Sequence, residues 1–73
     1  MTIDEFMRDI APKMRPGYVA MDKDGRWFWY SKEPLPIKRQ KHWTWVGNVN
    51  CFPLLFNITP VDDWTQSLRK VGK

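Results

Sequence analysis

Apolar residues near the N-terminus recur at the spacing of one helix face. The series consists of Ile3, Phe6, Met7, Ile10 and Met14. Intervals of three and four residues place such side chains on one side of an α-helix. Thr2, followed by Glu5 three positions later, matches a capping box, in which each side chain bonds the other residue's backbone. The pattern predicts a helix over about Ile3–Ala11, which reaches Met14 if Pro12 only kinks it.

Two aromatic, apolar runs separated by a polar turn come next. Tyr18–Met21 and Arg26–Tyr30 flank the turn Asp22–Gly25. Aromatic and β-branched residues on both sides of a turn that ends in glycine predict a β-hairpin. The second run has aromatic residues at both odd and even positions. We therefore expect both faces of this strand to be covered by other parts of the chain.

The middle of the chain predicts further short strands. Glu33–Pro36 contains two prolines and should form an extended loop. His42–Val46 has the composition of a third strand, and Gly47–Asn50 supplies a turn. Cys51–Ile58 then predicts a fourth strand, in which Pro53 marks a sheet edge or a bulge.

The C-terminal segment predicts a short helix. Asp62 or Asp63 can cap it, and it should run to about Val71 with Trp64 and Leu68 on one face. Seventy-three residues suffice for a single domain, residues 1–73. The expected fold class is α+β: a small antiparallel sheet of three or four strands, with an N-terminal helix and a short C-terminal helix.

Four of the five tryptophans form two pairs with one residue between the partners. Trp27 and Trp29 lie in the second strand of the hairpin, and Trp43 and Trp45 in the predicted third strand. Side chains two residues apart on a strand point to the same face, so each pair predicts a double-indole platform. A chain this short has one small core, and its aromatic residues exceed what that core readily hides. We expect the exposed member of each pair to contact a partner, and we expect a homo-oligomer or a permanent hetero-complex.

The net charge of +4 is concentrated in the middle of the chain. Residues 34–61 contain no acid, whereas Lys38, Arg39 and Lys41 stand together beside His42. This distribution predicts a local basic patch. Two interpretations remain open: a solvated loop beside tryptophans that form core and oligomer contacts, or phosphate binding with an indole stacked on a base. The candidate binding residues are Trp27, Trp29, Lys38, Arg39, Lys41, His42, Trp43 and Trp45.

The sequence contains few residues that could form a catalytic, metal or cofactor site. His42 and Cys51 are the only histidine and cysteine, and no residue nearby in sequence orients the imidazole. Asp22–Gly25 resembles the start of a calcium loop but lacks the third acidic ligand, so turn chemistry explains it better. We expect no enzyme activity, no metal and no cofactor. No leader pattern or apolar run of about 20 residues appears, so we expect a cytoplasmic protein without a membrane span.

Two short motifs stand on either side of the tryptophan-rich middle. Residues 18–27 read YVAMDKDGRW, and residues 60–70 read PVDDWTQSLRK. This order resembles short, uncharacterised proteins of bacteriophages and prophages, in which a YVA-D-DG hairpin precedes a closing DW--SL segment. The resemblance covers about two-thirds of the chain. It implies an accessory protein that binds and modulates a host component, such as a defence complex, a nucleotide signal or the transcription machinery, and it transfers no catalytic residue.

Overall fold

The fold is α+β, with one α-helix, a four-stranded antiparallel sheet and a separate two-stranded sheet. It is taken from a computed structural model that describes residues 1–72. The helix α1 spans Ile3–Asp9. The strands are β1 Gly17–Met21, β2 Trp27–Tyr30, β3 Leu35–Ile37, β4 His42–Thr44, β5 Cys51–Pro53 and β6 Arg69–Val71. Two short 3₁₀ helices span Ala11–Lys13 and Trp64–Gln66.

The N-terminal helix begins as the sequence predicts and ends slightly earlier. Thr2 Oγ1 accepts a hydrogen bond from the Glu5 N–H, and Glu5 Oε1 accepts one from the Thr2 N–H, so the capping box is confirmed. The α-helix ends at Asp9, because Pro12 has no N–H and its ring would collide with the carbonyl four residues earlier. Pro12 instead lies within the 3₁₀ helix Ala11–Lys13.

The aromatic hairpin lies at the centre of the larger sheet, whose order is β5-β2-β1-β6. Its register pairs Tyr18 with Tyr30 and Met21 with Trp27. One face packs against α1. The buried residues of this core are Ile3, Phe6, Ala11, Val19, Met21, Trp27, Trp29, Ile58 and Val71. On the opposite face Ala20, Tyr30 and Trp43 form a second buried cluster. The prediction that both faces of β2 are covered is confirmed.

The prediction of a C-terminal helix is wrong. Asp63 does cap a turn, since its Oδ1 accepts the Thr65 N–H at 3.0 Å, but the 3₁₀ helix ends at Gln66. The buried Ser67 follows it, and its hydroxyl accepts the Met21 N–H at 2.8 Å. The chain then forms β6, which pairs with the edge of β1 and buries Val71. An isolated helix of this length is only marginally stable in water. Pairing of residues 69–71 with the available edge of β1 is therefore favoured over a helix.

The predicted third and fourth strands differ from those observed. β4 lies outside the larger sheet and pairs with β3, which contains part of the segment predicted as a loop. β5 is only three residues long and pairs with β2 at the edge of the sheet. Pro53 lies in this edge strand, where a residue without an N–H is tolerated.

Candidate interaction surface

The Trp27–Trp29 pair belongs to the core. Trp27 is 4 % exposed and Trp29 is 5 % exposed, and both lie on the face of the sheet that packs against α1. The Trp29 indole N–H donates to the Arg15 carbonyl at 3.3 Å. Within the described residues, the buried Trp27 indole N–H has no hydrogen-bond partner. The two indoles share one face as the spacing predicts, but that face is internal, so neither can provide the predicted contact surface.

The Trp43–Trp45 pair divides between core and surface. Trp43 is 4 % exposed, and its indole N–H donates to the Met21 carbonyl at 2.9 Å. Its backbone N–H donates to Asp22 Oδ1 at 3.0 Å. Trp45 is 40 % exposed, and its ring lies 5.9 Å from the Tyr30 ring. Both indoles face the larger sheet, and only Trp45 is available to a partner.

The turn between β3 and β4 carries the predicted basic residues. Lys38, Arg39 and Lys41 are all exposed in this turn, which we call the basic turn. The Lys41 carbonyl accepts the Lys23 N–H at 3.2 Å, so the basic turn packs beside the β1–β2 turn. The half-buried His42 follows, with its Nδ1 2.9 Å from the Trp43 carbonyl oxygen. A polar cleft of about 460 Å³ lies between the turns; its lining residues are Asp22, Lys23, Asp24, Arg26, Gln40, Lys41 and His42.

The basic turn and the exposed indole do not form one compact site. Lys41 precedes β4 and Trp45 follows it. A strand rises about 3.3 Å per residue, which separates their Cα atoms by roughly 13 Å. A single group stacked on Trp45 therefore lies away from most of the cations.

Exposed apolar residues that were not predicted as contacts, apart from Trp45, lie between residues 45 and 56. Of the seven large hydrophobic residues that are exposed in residues 1–72, five fall in this segment. They are Trp45, Val46, Phe52, Leu55 and Phe56, and we call them together the 45–56 apolar surface. Phe52 and Phe56 contact the α1 face of the sheet, and Trp45 contacts the opposite face. Val46 is 83 % exposed and Leu55 is 94 % exposed. The signal in the sequence was the apolar run from Cys51 to Phe56, which is easily taken for a buried strand.

Aromatic contacts hold part of this surface against the core. Phe52 stacks on Trp29 with ring centroids 5.7 Å apart, and Phe56 meets Phe6 edge-on at 5.6 Å. A groove of about 320 Å³ opens beside Phe52; its lining residues are Met14, Arg15, Trp29, Phe52 and Leu54. Phe52 and Phe56 are thus fixed by packing while more than two-fifths of each side chain is exposed. Rigid, exposed aromatic rings are the usual anchors of protein interfaces.

The free edge of β5 is poorly suited to pairing with another strand. The Leu54 N–H donates to the Trp27 carbonyl and the Ser31 N–H donates to the Asn50 carbonyl, each at 2.9 Å. Backbone N–H and C=O groups of successive residues point to opposite sides of a strand. Those of Cys51 and Pro53 therefore point away from β2. Pro53 has no N–H, so this edge offers one N–H donor, that of Cys51. Contact with a partner must therefore rely on side chains.

Cys51 and His42 lack the features of a catalytic pair. Burial, and secondarily the negative charge of Asp22, raises the pKa of the Cys51 thiol. A raised pKa keeps the thiol protonated, whereas a nucleophilic cysteine requires a lowered one. Within residues 1–72, no group of three or more His, Cys, Asp or Glu residues is placed to hold a metal ion. No helix in the same range is long and apolar enough to cross a membrane.

Comparisons of this chain with protein-family models, with curated proteins and with solved structures find no match. The function is therefore inferred from the residues and their geometry.

Proposed function

We propose that this protein is a non-enzymatic accessory protein of a phage or prophage, which binds and modulates a host protein in the bacterial cytoplasm. The observation that carries the proposal is the 45–56 apolar surface. Five of the seven exposed large hydrophobic residues in the described chain lie within twelve consecutive positions. These residues lie on both faces of the sheet beside its β5 edge, Phe52 and Phe56 on the α1 face and Trp45 on the other. A concentration of exposed apolar side chains in one segment favours an interaction site, because each leaves apolar area in water.

The charge around this surface favours an acidic partner. All five residues lie in the acid-free stretch 34–61, which also contains the basic turn. Cations at the margin of an interface raise the rate of encounter with an oppositely charged protein, while buried apolar anchors supply affinity. In this proposal Lys38, Arg39 and Lys41 steer the partner, and the 45–56 apolar surface holds it.

A paired capture experiment tests this proposal. Tagged wild-type protein, a Val46→Ser/Leu55→Ser variant and a Leu35→Ser control are each incubated with nuclease-treated host lysate, and bound proteins are identified by mass spectrometry. Leu35 is the control for Leu55 because it is also an exposed leucine but lies in β3, outside residues 45–56. We expect wild type and control to retain the same host protein, and the double variant to lose about tenfold in recovery. Equal recovery by all three proteins would contradict the proposed surface.

A second candidate function is binding of nucleic acid or a nucleotide. It is favoured by the three exposed cations within four consecutive residues of the basic turn, beside a cleft that Lys23 and Arg26 also line. Phosphate contacts weaken with salt, by roughly 0.7 to 0.9 log units of affinity per log unit of salt for each phosphate. Binding of a single-stranded oligonucleotide should therefore fall steeply with salt, and less steeply for Lys38→Gln/Arg39→Gln. A flat salt response would exclude this function.

A further inference from the structure

The groove beside Phe52, on the α1 face of the sheet at its β5 edge, has a base that packing holds in place. Trp29 forms this base, and its indole N–H donates to the Arg15 carbonyl at 3.3 Å. Gly17 lies against the same ring, since a Cβ there would come within 2.6 Å of two Trp29 ring carbons. Phe52 stacks on Trp29 with ring centroids 5.7 Å apart. Because the base is fixed before binding, an occupant would not bear the entropic cost of ordering it.

The walls of the groove are accessible to an occupant. Phe52 is 52 % exposed, Arg15 is exposed, and Met14 and Leu54 are half-buried. Covering these walls would remove apolar area from water, which favours association. Sites for small ligands usually enclose roughly 70–90 % of the ligand within about 300–1,000 Å³. A groove of about 320 Å³ that is open along Phe52 is better suited to a side chain that belongs to a larger partner.

Arg15 places an unbalanced positive charge at this groove. The two ion pairs within residues 1–72 involve Arg8 and Arg26, so Arg15 has no acidic partner in that range. None of the residues that line the groove is acidic, and residues 10–21 contain no acid. A guanidinium group pairs with a carboxylate through two parallel N–H donors. The side chain that fills the groove is therefore expected to stand beside a carboxylate.

The free edge of β5 restricts the backbone of such a partner. Cys51 offers the one outward N–H of this strand, because Pro53 has none. An extended segment laid along the edge would find a single donor for its carbonyl groups, and unpaired backbone groups at an interface are costly. An α-helix satisfies its backbone hydrogen bonds internally and presents only side chains to a groove. A helix is therefore the better occupant.

We propose that the groove receives a large apolar side chain from an acidic amphipathic helix of the host protein, and that Arg15 pairs with a carboxylate on that helix. The inference rests on the proposed function and names the chemistry of the partner. Such a helix carries apolar residues at intervals of three and four positions, with acids beside them. Phe52 belongs both to the groove and to the 45–56 apolar surface, so the two contacts are continuous.

Titration of the purified protein with synthetic peptides tests the groove without any host component. The acidic peptide has about 18 residues, or five helical turns, with leucine on one face and glutamate beside it. One control peptide has lysine in place of glutamate, and the other has the acidic composition in scrambled order. The readouts are the indole N–H resonance of Trp29 and the anisotropy of a labelled peptide. We expect the acidic helix to shift this resonance saturably and to bind about tenfold more tightly than either control.

Charge reversal separates the contact at Arg15 from the overall charge of the protein. Arg15→Glu should weaken binding of the acidic helix about tenfold and strengthen binding of the lysine peptide. Arg39→Glu, in the basic turn, changes the net charge equally and should alter either affinity less than about twofold at physiological salt. Phe52→Ala should weaken the acidic helix about tenfold, because it removes an exposed wall. Equal effects of the two charge reversals, or equal affinities of the acidic helix and its scrambled form, would overturn the proposal.

Two further results would overturn the proposal by assigning the groove to another occupant. Octanoate that shifts the Trp29 resonance when the acidic helix does not would indicate a small apolar acid. A shift with protein concentration alone would indicate a second copy of this chain. Failure of the proposed function differs, because wild type then retains no host protein in the capture experiment. If only the groove assignment is wrong, wild type and Arg15→Glu retain the same host protein equally.

Discussion

Trp43 and Trp45 have different roles although one residue separates them. Trp43 lies within β4, where it is buried and its indole N–H bonds the Met21 carbonyl. Trp45 follows the end of β4 and packs against Tyr30 with much of its surface in water. At the scale of single residues, Trp43 is therefore a structural anchor and Trp45 a contact residue.

A matched pair of substitutions tests this difference. Trp43→Phe removes a buried hydrogen bond and leaves a cavity, so we expect it to lower the free energy of unfolding by about 2–3 kcal/mol. Trp45→Phe should cost less than about 1 kcal/mol, because its indole is 40 % exposed. Urea denaturation, monitored by circular dichroism, measures the free energy of unfolding of both variants. Equal losses for the two variants would contradict the assignment.

Stability should fall in alkaline solution. Burial raises the pKa of Tyr30 and of Cys51 in the folded protein. The folded state then holds these protons more tightly than the unfolded state, so the free energy of unfolding decreases as pH rises above about 8.5. Denaturant unfolding between pH 7 and pH 10 measures the slope. The Cys51→Ala variant should lose the part of this decrease in the free energy of unfolding that begins near pH 8.5. An unchanged slope in that variant would show that the Cys51 thiol does not contribute to the decrease.

Elements built from local signals could be predicted from the sequence, and elements fixed by distant contacts could not. The capping box of α1 and the hairpin β1–β2 depend on residues within a few positions of each other. β6 depends on the free edge of β1, about fifty positions earlier along the chain. The 45–56 apolar surface was missed for a related reason, since the length of β5 is set by its pairing with β2.

Pro53 limits the pairing capacity of the free edge of β5, because it has no N–H. Pro53→Val would add an outward N–H to the free edge, and exposed, unpaired edges promote association between sheets. We expect this variant to self-associate more strongly than wild type at equal concentration, as measured by sedimentation velocity. Unchanged association would show that Pro53 does not protect the edge.

At the scale of the whole molecule, exposed apolar residues and unbalanced cations come from the same central stretch of sequence. Residues 1–33 are electrically neutral and supply α1 and the central hairpin, whereas residues 34–61 supply the basic turn and the 45–56 apolar surface. Residues 1–33 thus build most of the core, to which Trp43, Ile58 and Val71 add, and residues 34–61 present most of the exposed contacts. The expectation of a homo-oligomer stays a prediction at this scale.

Site-specific crosslinking in the host tests whether residues 45–56 contact a host protein. A photoreactive phenylalanine derivative is placed at Leu55, and in a matched control at Leu35, which is also exposed. Crosslinked products are separated by mass and identified by mass spectrometry. We predict one discrete host protein joined through position 55 and none through position 35. Equal products at both positions, or an adduct made only of two copies of this chain, would contradict binding of a host protein through the 45–56 apolar surface.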